Sequence, residues 1–256
     1  MTIPTPTKAR GPYLYKYASP AHLEWLKTII LEHELYLPSL DQLNDPTDGR
    51  PRLAPLPEDQ MVSFLHNDFL QRHPDLTREA RDRDSTTIRF NVRRYGVEAI
   101  QRMLTQSLNA ELEGYRIYSL SKRYDNLSLW AKYAAGHSGY CLEFANDGPF
   151  FEYAKEVEYG DSALMDLTNR DDRNGYWFFR KKQEWSNEEE VRLVLARGKG
   201  SKVEIDPRWL TRLILGWHMS DVHRTLIREW AKQREPELTV ACASYDELDQ
   251  ALRLIS

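Results

Sequence analysis

Acidic side chains are concentrated where an apolar strand pattern begins, in the segment 181–195, KKQEWSNEEEVRLVL. Glu188, Glu190 and Arg192 are spaced two residues apart, and every second residue from 191 to 195 is apolar. Because successive side chains of a β-strand point to opposite faces, this spacing predicts two carboxylates and a guanidinium on one face and core residues on the other. One interpretation is a solvated sheet face with a cross-strand ion pair, and the other is a functional site.

Two further strand patterns carry polar residues at the same alternation. Ser119 and Ser121 in RIYSLS (116–121) form an S-x-S pair whose members share a face, as Glu188 and Glu190 do in their E-x-E pair. The first strand pattern, YLYKY (13–17), ends with a cation and an aromatic residue, Lys16 and Tyr17. The order of these three segments along the chain suggests one site built from three strands.

Other common catalytic signatures do not occur. The sequence has no GxxxxGK[ST] loop, no GxGxxG fingerprint and no GxSxG elbow, so it gives no motif support for those nucleotide-binding or serine-hydrolase folds. The histidine pairs 218/223 and 66/73 lack the one-turn spacing that places two imidazoles on one helical face. We therefore expect no metal site. A hydrolase or nuclease that holds a divalent cation with Glu188, Asp45 and Asp48 remains an alternative, because carboxylates are suitable ligands.

The two cysteines predict buried thiols. Cys141 and Cys242 lie in the strand-like runs GYCLEF and TVACAS, so we expect neither a disulfide framework nor a cysteine nucleophile. Two cysteines without a disulfide are typical of a protein in the reducing cytoplasm.

Composition indicates a compact cytoplasmic domain. The chain has 256 residues, 41% of them hydrophobic, and a net charge of -4, which argues against a protein built to coat nucleic acid or an anionic membrane. No apolar run approaches the roughly 18 residues of a membrane span. We expect a flexible arm over 1–12, which is rich in proline, followed by a single α+β domain over 13–256.

Local patterns divide that domain into elements. A strand, helix, strand opening is predicted, with Ser19 as the helix cap and Pro20 at the first helical position. The turn signals Asn44-Asp45-Pro46 and Asp48-Gly49 follow, and a helical insertion spans about 58–109. We then expect strands at 116–121, 140–144 and 157–159, a short helix after Asn126 and a helix over 177–182. The end of the chain predicts strands at 203–205, 213–216 and 238–243 and a helix over 221–234.

The motifs resemble those of a bacterial family of unknown function, domain-of-unknown-function family 2971 (DUF2971). The similar segments are LYKYAS (14–19), the Asn44-Asp45-Pro46 turn, YSLS (118–121), LWAKYAAGHSGYCLEF (129–144), WSNEEEVR (185–192) and LILG (213–216). The resemblance covers about residues 13–220, and it implies no particular chemistry.

A more distant resemblance does imply a chemistry. A basic residue on a first strand, an S-x-S strand and an E-x-E strand are similar to the pattern of ADP-ribosyltransferases of the arginine, serine, glutamate type. This resemblance implies an α+β fold with a mixed or antiparallel sheet core, and NAD as substrate. It further implies ADP-ribose transfer to a protein, nucleic acid or small-molecule acceptor, in bacterial phage defence or a toxin-type stress response.

The same resemblance assigns roles to individual residues. Glu190 would stabilise the positive charge that develops on the ribose as nicotinamide leaves, and Glu188 would orient or deprotonate the acceptor. The residues implied to bind NAD are Lys16, Tyr17, Ser119, Ser121, Trp130 and Tyr133, the aromatic ones by stacking on nicotinamide.

The sequence departs from that pattern at three places. Lys16 stands where arginine is usual, which keeps the charge but loses the bidentate fork, and Leu120 stands where threonine is usual. Glu189 makes the register of the E-x-E pair ambiguous, since a slip of one residue would turn Glu189 inward. A non-catalytic binding module of a defence system, which recognises its partner through aromatic residues, is a further alternative.

Overall fold

The computed structural model describes residues 7–9, 11–45, 47–160, 164–195 and 200–255. Of the expected arm at 1–12, residues 1–6 and 10 lie outside the described residues. Of the Asn44-Asp45-Pro46 turn, Pro46 lies outside them. Within the arm, the Thr7 carbonyl accepts a hydrogen bond from the Glu156 amide, and the Ala9 amide donates to the Ala154 carbonyl. Residues 7–9 therefore lie against the segment 154–156.

The described residues form fourteen strands and seven helices. The strands are β1 (Tyr13–Ala18), β2 (Glu34–Tyr36), β3 (Arg52–Leu53), β4 (Arg116–Ser121), β5 (Tyr140–Ala145), β6 (Lys155–Glu156), β7 (Glu158–Gly160), β8 (Leu164–Met165), β9 (Arg180–Lys182), β10 (Glu190–Leu195), β11 (Lys202–Glu204), β12 (Leu210–Leu215), β13 (Thr239–Asp246) and β14 (Ala251–Ile255). The helices are α1 (Leu23–Leu31), α2 (Glu58–Arg72), α3 (Arg78–Tyr95), α4 (Val97–Leu112), α5 (Leu127–Tyr133), α6 (Arg170–Arg173) and α7 (Asp221–Gln233).

Eight strands build one mixed sheet in the order β14-β13-β12-β5-β1-β4-β10-β6. Neighbouring strands are antiparallel except β12 and β13, which are parallel because α7 connects them as a crossover. The chain is therefore a mixed α/β protein with a large mixed sheet, which confirms the predicted sheet type. No helix among the described residues is long and apolar enough to cross a membrane.

The sheet parts between β1 and β4. These two strands are in register at one position, Tyr15 opposite Ser121, whereas each pairs with its other neighbour over six positions. Beyond that contact the Lys16 ammonium group donates a hydrogen bond to the Ser119 carbonyl at 2.9 Å. The Lys16 side chain thus supplies the Ser119 carbonyl with a donor at the gap between the strands. The parting opens the sheet toward a cavity.

Hydrophobic cores cover both faces of β4 and β10. Tyr118, Leu120, Val191 and Leu193 belong to a core that includes buried residues of α1 and α7. On the other face, Ile117 joins a second core with residues from α2 to α4, the expected helical insertion. Strand alternation therefore places the polar residues of both strands on the face of the helical block.

Local structure differs from expectation around the segment 176–190. A helix was expected over 177–182, but a 3-10 helix, Tyr176–Phe179, is followed by strand β9, which pairs with β7. A second 3-10 helix, Gln183–Glu188, then leads into β10. Glu188 was expected within the strand, and this expectation was wrong because β10 begins only at Glu190.

Candidate functional site

A cavity of about 470 Å³ lies where β1 and β4 part. Its volume is within the range of pockets that bind small molecules. The sequence-predicted residues that line it are Lys16, Tyr17, Ser119, Ser121, Tyr133, Glu188 and Glu190. The wall is completed by residues that include Tyr15, Asp45, Asp48, Lys132, Lys181 and Trp185.

Backbone geometry at Glu189 turns its two neighbours inward. Glu189 adopts the left-handed region, with φ of 44°, between the 3-10 helix and β10. Glu188 and Glu190 are both buried and line the cavity, whereas the Glu189 carboxylate lies 3.5 Å from Arg123 and is 37% exposed. The structure thus places Glu188 and Glu190, and not Glu189, at the cavity, although the turn that does so is not a strand.

Glu190 is held by two cations. Arg192 Nε donates to Glu190 Oε1 at 2.6 Å, Arg192 Nη2 donates to Oε2 at 3.0 Å, and Lys181 Nζ donates to Oε2 at 2.9 Å. Burial alone would raise the pKa of Glu190, but Arg192 and Lys181 outweigh burial and hold this pKa at about 2. Glu190 is therefore an anion at any physiological pH.

Glu188 accepts hydrogen bonds from three side chains. Tyr133 Oη at 2.8 Å and Lys132 Nζ at 3.1 Å donate to Oε1, and Lys181 Nζ donates to Oε2 at 2.7 Å. Burial and the neighbouring Glu188 raise the pKa of the Tyr133 hydroxyl, so Tyr133 remains a neutral donor. Lys181 bridges the two carboxylates and ties them into one network.

Lys16 reaches the cavity through the gap in the sheet. By strand alternation it shares a face with Leu14, which packs in the first core, while Tyr15 and Tyr17 lie on the opposite face. Its ammonium group lies 4.9 Å from the Tyr118 ring centroid, and none of the described carboxylates forms an ion pair with it. Burial lowers the pKa of Lys16 to about 8, despite the attraction of Glu190 and Glu188.

The two serines differ in what they contact. Ser121 is buried, and its hydroxyl donates to the Glu188 carbonyl at 2.9 Å and accepts from the Arg123 amide at 3.3 Å. Ser121 therefore fixes the turn that carries Glu188. Ser119 is partly buried, lines the cavity and contributes its carbonyl to Lys16.

The structure places the predicted aromatic residues at different depths. Tyr133 and Tyr17 line the cavity, and the Tyr17 hydroxyl donates to the Arg123 carbonyl at 2.7 Å. Trp130 is fully buried behind Tyr17, with ring centroids 5.3 Å apart, and its Nε1 donates to the Tyr124 carbonyl. Trp130 therefore supports Tyr17 and does not line the cavity.

Several residues that sequence reasoning did not assign to an NAD site also line the cavity. Lys181 comes from β9, Lys132 from the end of α5, Trp185 from the 3-10 helix and Asp48 from the turn before Gly49. Arg192 Nη2 donates to Asp48 Oδ2 at 2.6 Å, so the turn is anchored to β10. The Asp48-Gly49 turn signal was visible in the sequence, but its contact with Arg192 spans 144 positions.

The arrangement of charges favours organic ligands over a metal ion. Among the described residues, no group of three His, Cys, Asp or Glu side chains is arranged to hold a metal. Asp48, Glu188 and Glu190 do converge, but the Lys181 ammonium group lies among them, 3.7 Å from Asp48 Oδ2. Cys141 is fully buried and is not among the residues that line the cavity, and burial raises the pKa of its thiol.

Comparisons with protein-family models, with curated proteins and with solved structures each found no match to this chain. Function must therefore be inferred from the cavity itself.

Proposed function

We propose that the chain is an NAD-dependent ADP-ribosyltransferase-like enzyme that transfers ADP-ribose to a protein, nucleic acid or small-molecule acceptor. One observation carries this proposal. Three adjacent strands, β1, β4 and β10, bring Lys16, Ser119, Ser121 and Glu190 to a single cavity, together with Glu188. This convergence is what the resemblance to the arginine, serine, glutamate transferases requires.

The chemistry that these residues support is cleavage of an N-glycosidic bond. The bond between the ribose anomeric carbon and the nicotinamide nitrogen breaks, and its electron pair leaves with neutral nicotinamide. The sugar then carries oxocarbenium-like positive charge, which an ionised carboxylate in a water-poor site stabilises. Glu190 has that property because its pKa of about 2 keeps it anionic.

The acceptor step needs a proton acceptor. A hydroxyl or amine of the acceptor attacks the anomeric carbon and loses a proton as the new bond forms. In this proposal Glu188 orients the acceptor and takes this proton, and its position in the cavity wall, two residues from Glu190, supports that role. Lys181 and Tyr133 hold its carboxylate in place.

The remaining wall suits the other parts of NAD. Lys16 is a partly buried cation without an ion-pair partner among the described carboxylates, so an anionic diphosphate would supply a counter-charge. Trp185 and the tyrosines supply flat aromatic surface for the bases. A role in bacterial phage defence or in a toxin-type stress response is part of this proposal.

A release assay tests the proposed function. Purified protein is incubated with NAD, and free nicotinamide is quantified by chromatography over time, with Glu190→Gln as the inactive comparison. We expect release by the wild-type chain and a loss of at least about 100-fold in the variant, as for removal of a transition-state electrostatic group. Circular dichroism must show that the variant is folded. No binding of NAD at millimolar concentration by calorimetry would refute the proposal.

A non-catalytic binding module is the second candidate, and one observation favours it. Both oxygens of Glu190 already accept hydrogen bonds from protein donors, which leaves fewer positions for a ribose hydroxyl. Under this alternative, NAD or a related nucleotide binds in the cavity and no nicotinamide is released.

A further inference from the structure

The Lys132 ammonium group is enclosed by two aromatic rings and a carboxylate. It lies 3.5 Å from the ring centroid of Trp185, 4.8 Å from that of Tyr133, and 3.1 Å from Glu188 Oε1. All three of these residues line the cavity. We call Trp185, Tyr133 and Glu188 the cation cage.

The cation cage has the chemistry of an organic-cation site. The face of an indole or phenol ring carries negative potential that attracts a cation within about 6 Å, and Trp is the strongest of the aromatic side chains in this respect. Glu188 is buried and adds a negative charge on one side. Aromatic rings combined with an anion are the usual means of binding pyridinium and quaternary ammonium groups.

Lys132 is a replaceable occupant of the cage. Its side chain is 35% exposed and stands near the C-terminal end of α5, so its flexible stem can carry the ammonium group into water. A primary ammonium is strongly hydrated, whereas a pyridinium or quaternary ammonium carries a diffuse charge, which makes its entry less costly.

We infer that the cation cage binds an organic cation of the pyridinium or quaternary ammonium type, and that Lys132 competes with this cation for the cage. The inference deepens the proposed function, on which it rests for the natural ligand, by giving the pyridinium ring of NAD a place beside Glu188. Lys132 then acts as an internal competitor that leaves when the substrate enters.

Calorimetric titration with uncleavable probes tests this inference apart from catalysis. The probes are 1-methylnicotinamide, a flat pyridinium, and tetramethylammonium, a compact onium, with neutral nicotinamide as the uncharged comparison. Lys132→Ala removes Lys132 from the cage and leaves Lys181 at its edge, 5.2 Å from the Trp185 ring centroid and bonded to Glu188 Oε2. Lys132→Arg keeps a cation at the position of Lys132, and Lys27→Ala is the matched control because Lys27 is exposed and outside the cavity. Trp185→Leu in the Lys132→Ala background removes the main ring.

We expect Lys132→Ala to bind 1-methylnicotinamide about 5- to 30-fold more tightly than the wild-type chain, and tetramethylammonium more tightly as well. The affinity of Lys132→Ala for neutral nicotinamide should rise less than twofold. Lys132→Arg and Lys27→Ala should bind each probe with the affinity of the wild-type chain. Trp185→Leu should reverse the gain while circular dichroism shows a folded protein. An equal gain for neutral nicotinamide, or no gain for either cation, would overturn the inference. Failure of the proposed function would instead appear as no nicotinamide release from NAD with the cation binding intact.

Discussion

Replacing Arg192 by methionine tests whether the buried ion network stabilises the fold. Arg192 is fully buried, and besides its bonds to Glu190 and Asp48 its Nη1 donates to the Phe178 carbonyl at 2.8 Å. Methionine keeps much of the side-chain volume but removes the charge and every donor. Two carboxylates would then lose their main partner inside the protein.

The magnitude follows from the pKa of Glu190. It lies at about 2, compared with an ordinary value of 4.5, and each pKa unit corresponds to about 1.4 kcal/mol of differential interaction. The net stabilisation of ionised Glu190, after the cost of its burial, thus amounts to about 3 kcal/mol, at the lower end of the roughly 3 to 5 kcal/mol lost when one partner of a buried pair is removed. Because the folded-state pKa is depressed, this stability is present above pH 4.5 and is lost as the pH falls toward 2.

Urea denaturation of four chains measures the effect: wild type, Arg192→Met, Glu190→Gln and the double variant. We expect Arg192→Met to lower the free energy of unfolding by about 3 kcal/mol at pH 7, with the difference shrinking below pH 4.5. The loss should be smaller in the Glu190→Gln background, because the stranded carboxylate is gone. Arg72→Met, at an exposed pair with Asp68, is the control and should change stability by less than about 0.5 kcal/mol. A loss under about 1 kcal/mol, or an equal loss in both backgrounds, would refute the reasoning.

Two further predictions concern Lys16 and Glu189. Since burial lowers the pKa of Lys16 to about 8, the affinity for an anionic ligand such as ADP-ribose should fall by up to about tenfold from pH 7 to pH 9. Lys16→Arg should flatten this dependence in calorimetric titrations, and a flat wild-type profile would contradict the role of Lys16. At Glu189, φ of 44° predicts that Glu189→Gly is neutral or stabilising by up to about 1 kcal/mol, whereas Glu189→Val is destabilising by about 1 to 2 kcal/mol. Thermal denaturation compares them, and equal melting temperatures would show that the left-handed turn is not retained.

Alternation of residue types was sufficient to predict β1, β4 and β10, but not β9, which was expected to be helical. Apolar residues at every second position in 116–121 and 190–195 face the first core, so β4 and β10 lie close to their predicted bounds. The cap at Ser19 and the short helix after Asn126 were also predictable, because these side chains accept from backbone amides at the start of each helix. Such signals are local and need no knowledge of distant partners.

The rest of the site depends on contacts between distant parts of the chain. In the sequence, Lys181 is one of three consecutive cations in RKK (180–182), a pattern typical of exposed residues. Its ion-pair partners come from the turn at Asp48 and from the carboxylates of Glu188 and Glu190. Trp130 and Trp185 are equally plausible aromatic residues in the sequence, and only packing behind Tyr17 removes Trp130 from the cavity. The left-handed turn at Glu189 could not be predicted, because the residue with positive φ is not a glycine.

The cavity itself also lacks a sequence signature. It arises because β1 and β4 pair at one position and then part, which lets Lys16 reach the cavity from the opposite face of its strand. Strand alternation alone would assign Lys16 to the core side, so the convergence of Lys16 with Glu190 depends on sheet geometry.

Nicotinamide release from NAD by the three neighbouring variants Glu188→Gln, Glu189→Gln and Glu190→Gln tests the central claim most directly. The substitutions are chemically identical, but only the carboxylates at 188 and 190 line the cavity, while Glu189 lies outside beside Arg123. We expect Glu189→Gln to keep release within about twofold of the wild-type rate, and Glu190→Gln to lose at least about 100-fold while remaining folded. Glu188→Gln should lower transfer of ADP-ribose to the acceptor more than it lowers release, because Glu188 acts on the acceptor. Loss of release in Glu189→Gln with activity retained in Glu190→Gln would contradict the site described for this chain.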